Sequence, residues 1–169
     1  MIETERLQLR LVDNSDTSDI VRWRNNKDIM DHLFAYKGIT IEQHENWYNH
    51  YINSNVRIEL MMVEKTSGIK IGTVGLSQID HINQKAEYGI LIGEIQNRGK
   101  GYAKEGSKAI INYGFNELNL IKIYLKVFLD NMSAINLYKK LGFVKEGVLV
   151  KDIYKNGKFK DVLIMSIFR

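Results

Sequence analysis

The chain has 169 residues, 44% of them hydrophobic and 26% charged, which is enough for one domain with a sizeable core and unlike a disordered or collagenous polymer. It contains no cysteine and no proline, so neither a disulfide nor a covalent thioester to the protein can form. The formal net charge of +4 mildly favours an anionic small molecule, whereas the scattered basic residues and missing recognition motifs argue against nucleic acid.

Leu7, Leu9 and Leu11 alternate with polar residues and predict a first strand. Residues 16–32 predict one helix, with Ile20 and Trp23 on a shared face. Thr40-Ile-Glu-Gln43 has capping-box spacing and should open a second helix running to about Ile52. Val56, Ile58, Leu60 and Met62 alternate, Thr66-Ser67-Gly68 turns, and 69–79 returns as the second arm of a hairpin. Ala86, Tyr88, Ile90 and Ile92 alternate in the next strand. A helix over 102–118 carries Ala103, Gly106, Ile110 and Gly114 on one stripe. A strand over 121–129 and a short helix over 132–141 follow. Strands over 143–153 and 159–168 are joined at Asn156-Gly157, a strong hairpin signal. The order β-α-α-β-β-β-α-β-α-β-β predicts a single α/β domain over residues 1–169, with a mixed, mostly antiparallel sheet flanked by helices.

Between the strand ending at Ile92 and the following helix stands Gln96-Asn97-Arg98-Gly99-Lys100-Gly101-Tyr102-Ala103. A Gly-rich turn at a helix N-terminus offers free N–H groups and the positive end of the helix dipole to an anion, and a pyrophosphate is the expected guest. A Walker A loop would need Ser or Thr after Gly-Lys, and Gly101 stands there. A dinucleotide fingerprint would need a third glycine where Lys104 stands.

What the segment does fit is Gln/Arg-x-x-Gly-x-Gly/Ala, and it resembles the coenzyme A loop of the GNAT acyltransferases. Asn131-Met-Ser-Ala-Ile-Asn136-Leu-Tyr138-Lys-Lys-Leu141-Gly142-Phe143 resembles the later motif of the same family, in the family's order and spacing. The opening Glu3-Thr4-Glu5-Arg6-Leu7-Gln8-Leu9-Arg10 is similar to the branch containing ribosomal-protein and small-amine acetyltransferases. The resemblance covers essentially the whole chain. It implies the family fold, acetyl-CoA as cosubstrate without a metal, and direct acetyl transfer to an amine in a ternary complex.

The resemblance also implies roles. Gln96, Arg98, Gly99, Lys100, Gly101 and Tyr102 would hold the pyrophosphate, and the backbones of Ile90, Leu91 and Ile92 would meet the pantetheine and thioester. Asn131 and Asn136 would complete the cofactor side, although Asn131 also suits a helix N-cap. Tyr138 would protonate the leaving thiolate, since a phenol near pKa 10 stays protonated where a thiol of about 8.5 needs a proton. By periodicity alone Tyr138 is a core aromatic beside Ile135 and Leu141. Glu87, on the strand leading to the loop, is the expected general base, with His81 or an ordered water as alternatives. Metal binding is disfavoured: His44-Glu45 begins a zinc-protease pattern whose second His would fall on Tyr48, and His44 and His50 do not share a helix face.

Trp23-Arg24-Asn25 and the His44-to-Trp47 helix resemble the branch that N-acetylates UDP-linked 4-amino sugars in pseudaminic acid biosynthesis. Aromatic faces stack on uracil or sugar, and an arginine forks onto phosphate, so Trp23, Arg24, Asn25, His44 and Trp47 are the expected acceptor residues. Both tryptophans equally suit core anchors of their helices. Polyamine and protein N-terminal acetylation are the alternative activities, and acetyl-CoA sensing without turnover is a third. The expected partner is a small-molecule amine, with no nucleic acid and no membrane, and a homodimer is the assembly considered. With no signal pattern and no span of ~20 apolar residues, a cytoplasmic location is expected.

Overall fold

The computed structural model describes residues 1–169. The chain opens with β1 (Ile2–Glu3) and β2 (Leu7–Leu11), then a 3-10 turn (Asn14–Asp16), α1 (Thr17–Asn25), α2 (Lys27–Met30) and α3 (Ile41–Tyr51). β3 (Ile58–Glu64), β4 (Lys70–Asp80) and β5 (Lys85–Ile92) form a meander. A 3-10 turn (Ile95–Asn97) leads to α4 (Tyr102–Asn116), followed by β6 (Lys122–Phe128), α5 (Met132–Leu141), β7 (Val144–Lys155) and β8 (Lys158–Phe168). All eight strands share one sheet in the order β1-β2-β3-β4-β5-β6-β8-β7. Every pairing is antiparallel except β5 with β6.

Strand alternation sorts the apolar residues onto the sheet's two faces. On one face Leu7, Leu9, Leu60, Met62, Val74, Leu76, Tyr88 and Ile123 pack with Ile110, Ile111, Ile135 and Tyr138 from α4 and α5. On the other, Met61 joins Val12, Ile20, Trp23, Ile29 and Tyr51 in a smaller core beneath the N-terminal helices.

The helix expected over 16–32 is interrupted. Asn26 turns to extended backbone (ψ 127°), and its side chain accepts a hydrogen bond from the Asp28 N–H. Asparagine competes in this way with the helical backbone, so it ends α1 and starts α2. Asp16 lies before the helix and is fully buried, with ion pairs to Arg10 at 2.7 Å and Lys70 at 2.8 Å. The two-residue strand β1 was not expected, and the strand expected from Val56 begins at Ile58. The capping box at Thr40 and Gln43 forms as the spacing predicts.

One feature of the sheet positions the site. β5 and β6 pair only over Lys85↔Lys122, Ala86↔Ile123 and Glu87↔Tyr124. Beyond Glu87, β5 stays with β4 as far as Ile92, while β6 stays with β8 as far as Phe128. The strands therefore part, and the edge of β5 over 88–92 faces the gap with no strand beside it.

Candidate active site

The loop between β5 and α4 begins just past this gap. Gly99 (φ +75°) and Gly101 (φ +87°) occupy the left-handed region, which costs a residue with a Cβ about 1–2 kcal/mol. Gly101 is the N-cap of the 15-residue α4, and no side chain hydrogen-bonds into that end of the helix. The first N–H groups of α4 are thus left for an anion, and Gln96, Arg98 and Lys100 stand exposed around them. This arrangement fits the pyrophosphate of acetyl-CoA.

The loop is held from behind by Arg6. Its Nη1 donates to the Lys100 carbonyl at 2.9 Å, its guanidinium pairs with Glu105 at 2.7 Å, and it lies 4.7 Å from the Tyr102 ring centroid. Glu105 also accepts from Thr4 Oγ1 at 2.6 Å and from the Arg6 N–H at 2.7 Å. Thr4, Arg6 and Glu105 tie the start of the chain to the first turn of α4.

Tyr138 lies on α5 and is 9% exposed, edge-on to Tyr88 at 5.9 Å and tilted against Phe143 at 5.9 Å. Burial alone pushes its phenol up to about 12, so it stays protonated through the neutral range. Tyr88 is spoken for, sharing a 2.6 Å hydrogen bond with Ser107. Asn131 is the N-cap of α5, accepting from the Ala134 N–H at 3.3 Å, and Asn136 is exposed on that helix.

On the face beneath the N-terminal helices lies a cavity of about 440 Å³. Of the expected residues, Trp23, Arg24, His44, Trp47, Ile90 and Leu91 line it. Trp23 is only 1% exposed; its Nε1 donates to Glu94 at 2.9 Å, and its ring lies where any side chain at Gly93 would intrude. Trp23 thus acts chiefly as an anchor joining α1 to the segment after β5. Trp47 stacks on Tyr51 at 5.0 Å with an interplanar angle of 3°. His44 is 4% exposed and shares a 3.0 Å hydrogen bond with Thr17 Oγ1, while its Nε2 has no partner. Burial, reinforced by Arg24, lowers its pKa and keeps the imidazole neutral.

Asn25 does not line the cavity. Its side chain accepts from the Ile39 N–H at 2.7 Å and donates to the Ile39 carbonyl at 2.8 Å, closing the loop ahead of α3. Glu87 does not line it either: its carboxylate binds the Gln78 side chain. His81 is exposed in the turn before β5.

Sequence reasoning missed Glu59, Arg57 and Thr73, all of which line the cavity. Burial raises the Glu59 pKa against the pull of Arg57, 3.6 Å away, and of Thr73 and Arg24. Burial, aided by Arg57, lowers the Arg24 pKa, with Glu59 opposing. Arg57 and Glu59, two apart and just ahead of the apolar run Leu60 to Val63, share a face, and that pattern was the available signal.

The profile of the acetyltransferase (GNAT) domain matches residues 6–144. The spermidine N(1)-acetyltransferase of Vibrio cholerae is 35% identical over 164 residues, covering 97% of this chain and 94% of that protein. The spermidine N(1)-acetyltransferase of Escherichia coli K12 is 32% identical, covering 100% of this chain and 89% of that one. A crystal structure of the Vibrio cholerae spermidine N-acetyltransferase in complex with CoA and spermine superposes with a TM-score of 0.92 at 34% identity, over 98% of this chain and 96% of that one.

Proposed function

The chain belongs to the GNAT acetyltransferases and is an acetyl-CoA-dependent N-acetyltransferase of a small-molecule amine, and on that premise we propose that its acceptor is a polyamine of the spermidine class. The supporting observation is the full-length similarity to two spermidine acetyltransferases and to one solved with CoA and spermine. This favours the polyamine alternative over the UDP-linked amino sugar expected from the helical motifs. The exposed Glu42 and Glu45, flanking the lining residues Gln43 and His44 on α3, suit a polycation.

In this proposal the amides of the 98–102 loop bind the pyrophosphate, and the free edge of β5 over 88–92 aligns the pantetheine arm. The acceptor enters from the cavity side and its amine attacks the thioester directly. Tyr138 donates the proton that the thiolate needs. The single-domain reading over residues 1–169 and a cytoplasmic location, where acetyl-CoA is available as donor, belong to the same proposal. So does a homo-oligomer: β7 leaves an open sheet edge with Val150 and Tyr154 exposed, and a structure of the Vibrio cholerae relative is dodecameric.

One observation favours a second reading, an amine carried on an anion such as a UDP-linked 4-amino sugar. Arg24 and Arg57 both line the cavity, with Glu59 as its only carboxylate. Parallel assays of acetyl-CoA consumption with spermidine, a UDP-4-amino-deoxy sugar and an N-terminal peptide decide. Spermidine is expected to give the highest kcat/KM. Turnover of the sugar nucleotide with spermidine inert would move the acceptor to the second reading, and silence with every amine would leave a sensor.

A further inference from the structure

Glu59 lies in a row of residues that no other part of the sheet repeats. Across the strands it pairs with Gly75, and Gly75 pairs with Gly89. A Cβ built on Gly75 would come 3.0 Å from Glu59 Oε2, whereas one on Gly89 would meet nothing within 4 Å. The carboxylate therefore lies over β4, and the sheet is bare from there to β5 at the point where β5 has left β6. The Glu59 side chain is 21% exposed, and Glu59, Gly89, Ile90 and Leu91 line the same cavity. Its backbone is fixed from both sides. The Tyr51 hydroxyl donates to the Glu59 carbonyl at 3.0 Å and accepts from its N–H at 3.2 Å, and the Val12 N–H donates to the same carbonyl at 3.1 Å.

We propose that Glu59 is the general base of the reaction, taking a proton from the acceptor ammonium in the cavity. The charged or titratable groups facing it are Arg24 from α1, His44 from α3 and Arg57 at the head of β3, with Glu87 one row further along the same sheet face. Two are cations, and burial beside Arg24 weakens His44 as a base, so Glu59 is the one anion in the cavity. Burial, which raises its pKa, narrows the gap to the ammonium.

The step balances. The ammonium gives one proton to the Glu59 carboxylate, and the freed lone pair attacks the thioester carbonyl carbon. The C–N bond forms and the C–S bond breaks. Tyr138 gives its proton to the leaving sulfur and regains one from the new amide nitrogen. Glu59 releases its proton to solvent, so ammonium and thioester become amide, thiol and one proton.

The inference rests on the acetyltransferase reading alone and holds for either acceptor. The test compares Glu59→Gln and Glu59→Asp with wild type, using spermidine and a UDP-4-amino-deoxy sugar, from pH 5.5 to 9.5. The wild-type rates identify the acceptor, and the variant-to-wild-type ratio on whichever amine turns over tests Glu59. For Glu59→Gln, kcat/KM at pH 7 is expected to fall by ~10²–10⁴-fold, the range of general-base contributions, with acetyl-CoA affinity and thermal melting preserved. The acidic limb set by Glu59 should be lost and replaced by a rate that climbs across the range as free amine becomes available, and Glu59→Asp should recover part of the rate. A Glu59→Gln protein that keeps the wild-type rate and acidic limb would overturn the proposal. A second reading needs no turnover: in protein with ¹³C-labelled glutamate carboxyls, the resonance missing from Glu59→Gln should titrate above those of exposed glutamates. A midpoint at or below theirs would equally overturn it.

Discussion

Replacing Gly101 with valine puts a β-branched side chain at φ +87°, on the residue that caps α4. Two costs follow, and they separate. The left-handed backbone strains a residue with a Cβ by about 1–2 kcal/mol, which is read in folding stability. The new Cβ comes 3.2 Å from Arg6 Nη2, a flexible end that can shift by a few tenths of an ångström, so the protein should still fold. The second cost falls on the donor: Gly101 is the N-cap from which the first amides of α4 project, so a backbone that relaxes away from φ +87° turns at least one of the amides assigned to the pyrophosphate. A hydrogen bond to a charged group contributes about 1.5–3 kcal/mol, so losing one raises the Kd for acetyl-CoA by ~10–150-fold. Calorimetric titration reads this directly. Gly68→Ala is the control: Gly68 has φ +70° with nothing within 4 Å, in the hairpin turn between β3 and β4, so it should show the strain without the affinity loss. A folded Gly101→Val protein with wild-type affinity for acetyl-CoA would refute the assignment of the loop.

Tyr138→Phe should lower kcat by ~10²-fold while changing KM little, as expected of a proton donor needed in the transition state, and the loss should be constant from pH 6 to 9 because burial holds the phenol at about 12. An unchanged kcat would return Tyr138 to the core. For Asp16, burial would raise the pKa, but Arg10, the Asp13 amide and Lys70 outweigh it and hold the carboxyl at about 2 against 3.8. A depressed carboxyl stabilises the fold above pH 3.8 and ceases to do so as pH falls toward 2, and the shift corresponds to about 2 kcal/mol. Asp16→Asn should therefore cost about 3–5 kcal/mol at pH 7 in urea unfolding, with a gap that narrows below pH 4, and a gap of equal size at pH 7 and pH 2.5 would contradict the buried pairing.

The order of elements was legible because alternation and helical spacing are local. Leu7-x-Leu9-x-Leu11 and the capping box at Thr40 each need only a few neighbouring residues, and both formed. The break at Asn26 was not legible, because Asn-Asn within a helical period becomes a boundary only when Trp23 and Ile29 are both drawn into one core. The loop over 96–103 and the α5 motif could be singled out for a related reason: each is a contiguous stretch. Arg6 and Glu105 were not, since a contact 99 residues apart in sequence leaves no local period.

The acceptor side shows the same limit and a way around it. The aromatic motifs of α1 and α3 pointed to the cavity, yet they mixed free lining residues with anchors: Trp23 lines the space but is committed to Glu94, and Asn25 lies outside it on Ile39, while Arg24, His44 and Trp47 line it. Glycines in strands carried the better signal. A glycine inside a strand sacrifices packing and backbone entropy, so it marks a place where something else must come close to the sheet. β4 and β5 carry Gly75 and Gly89, and only the strand register shows that they are neighbours and that Glu59 lies beside them. The floor of the pocket is therefore read across three strands, beneath walls from α1 and α3. Gly75 gives its space to the Ile58 carbonyl and the Glu59 carboxylate, Arg57 pairs with that carboxylate at 3.6 Å, and Gly89 leaves the open ground beside them.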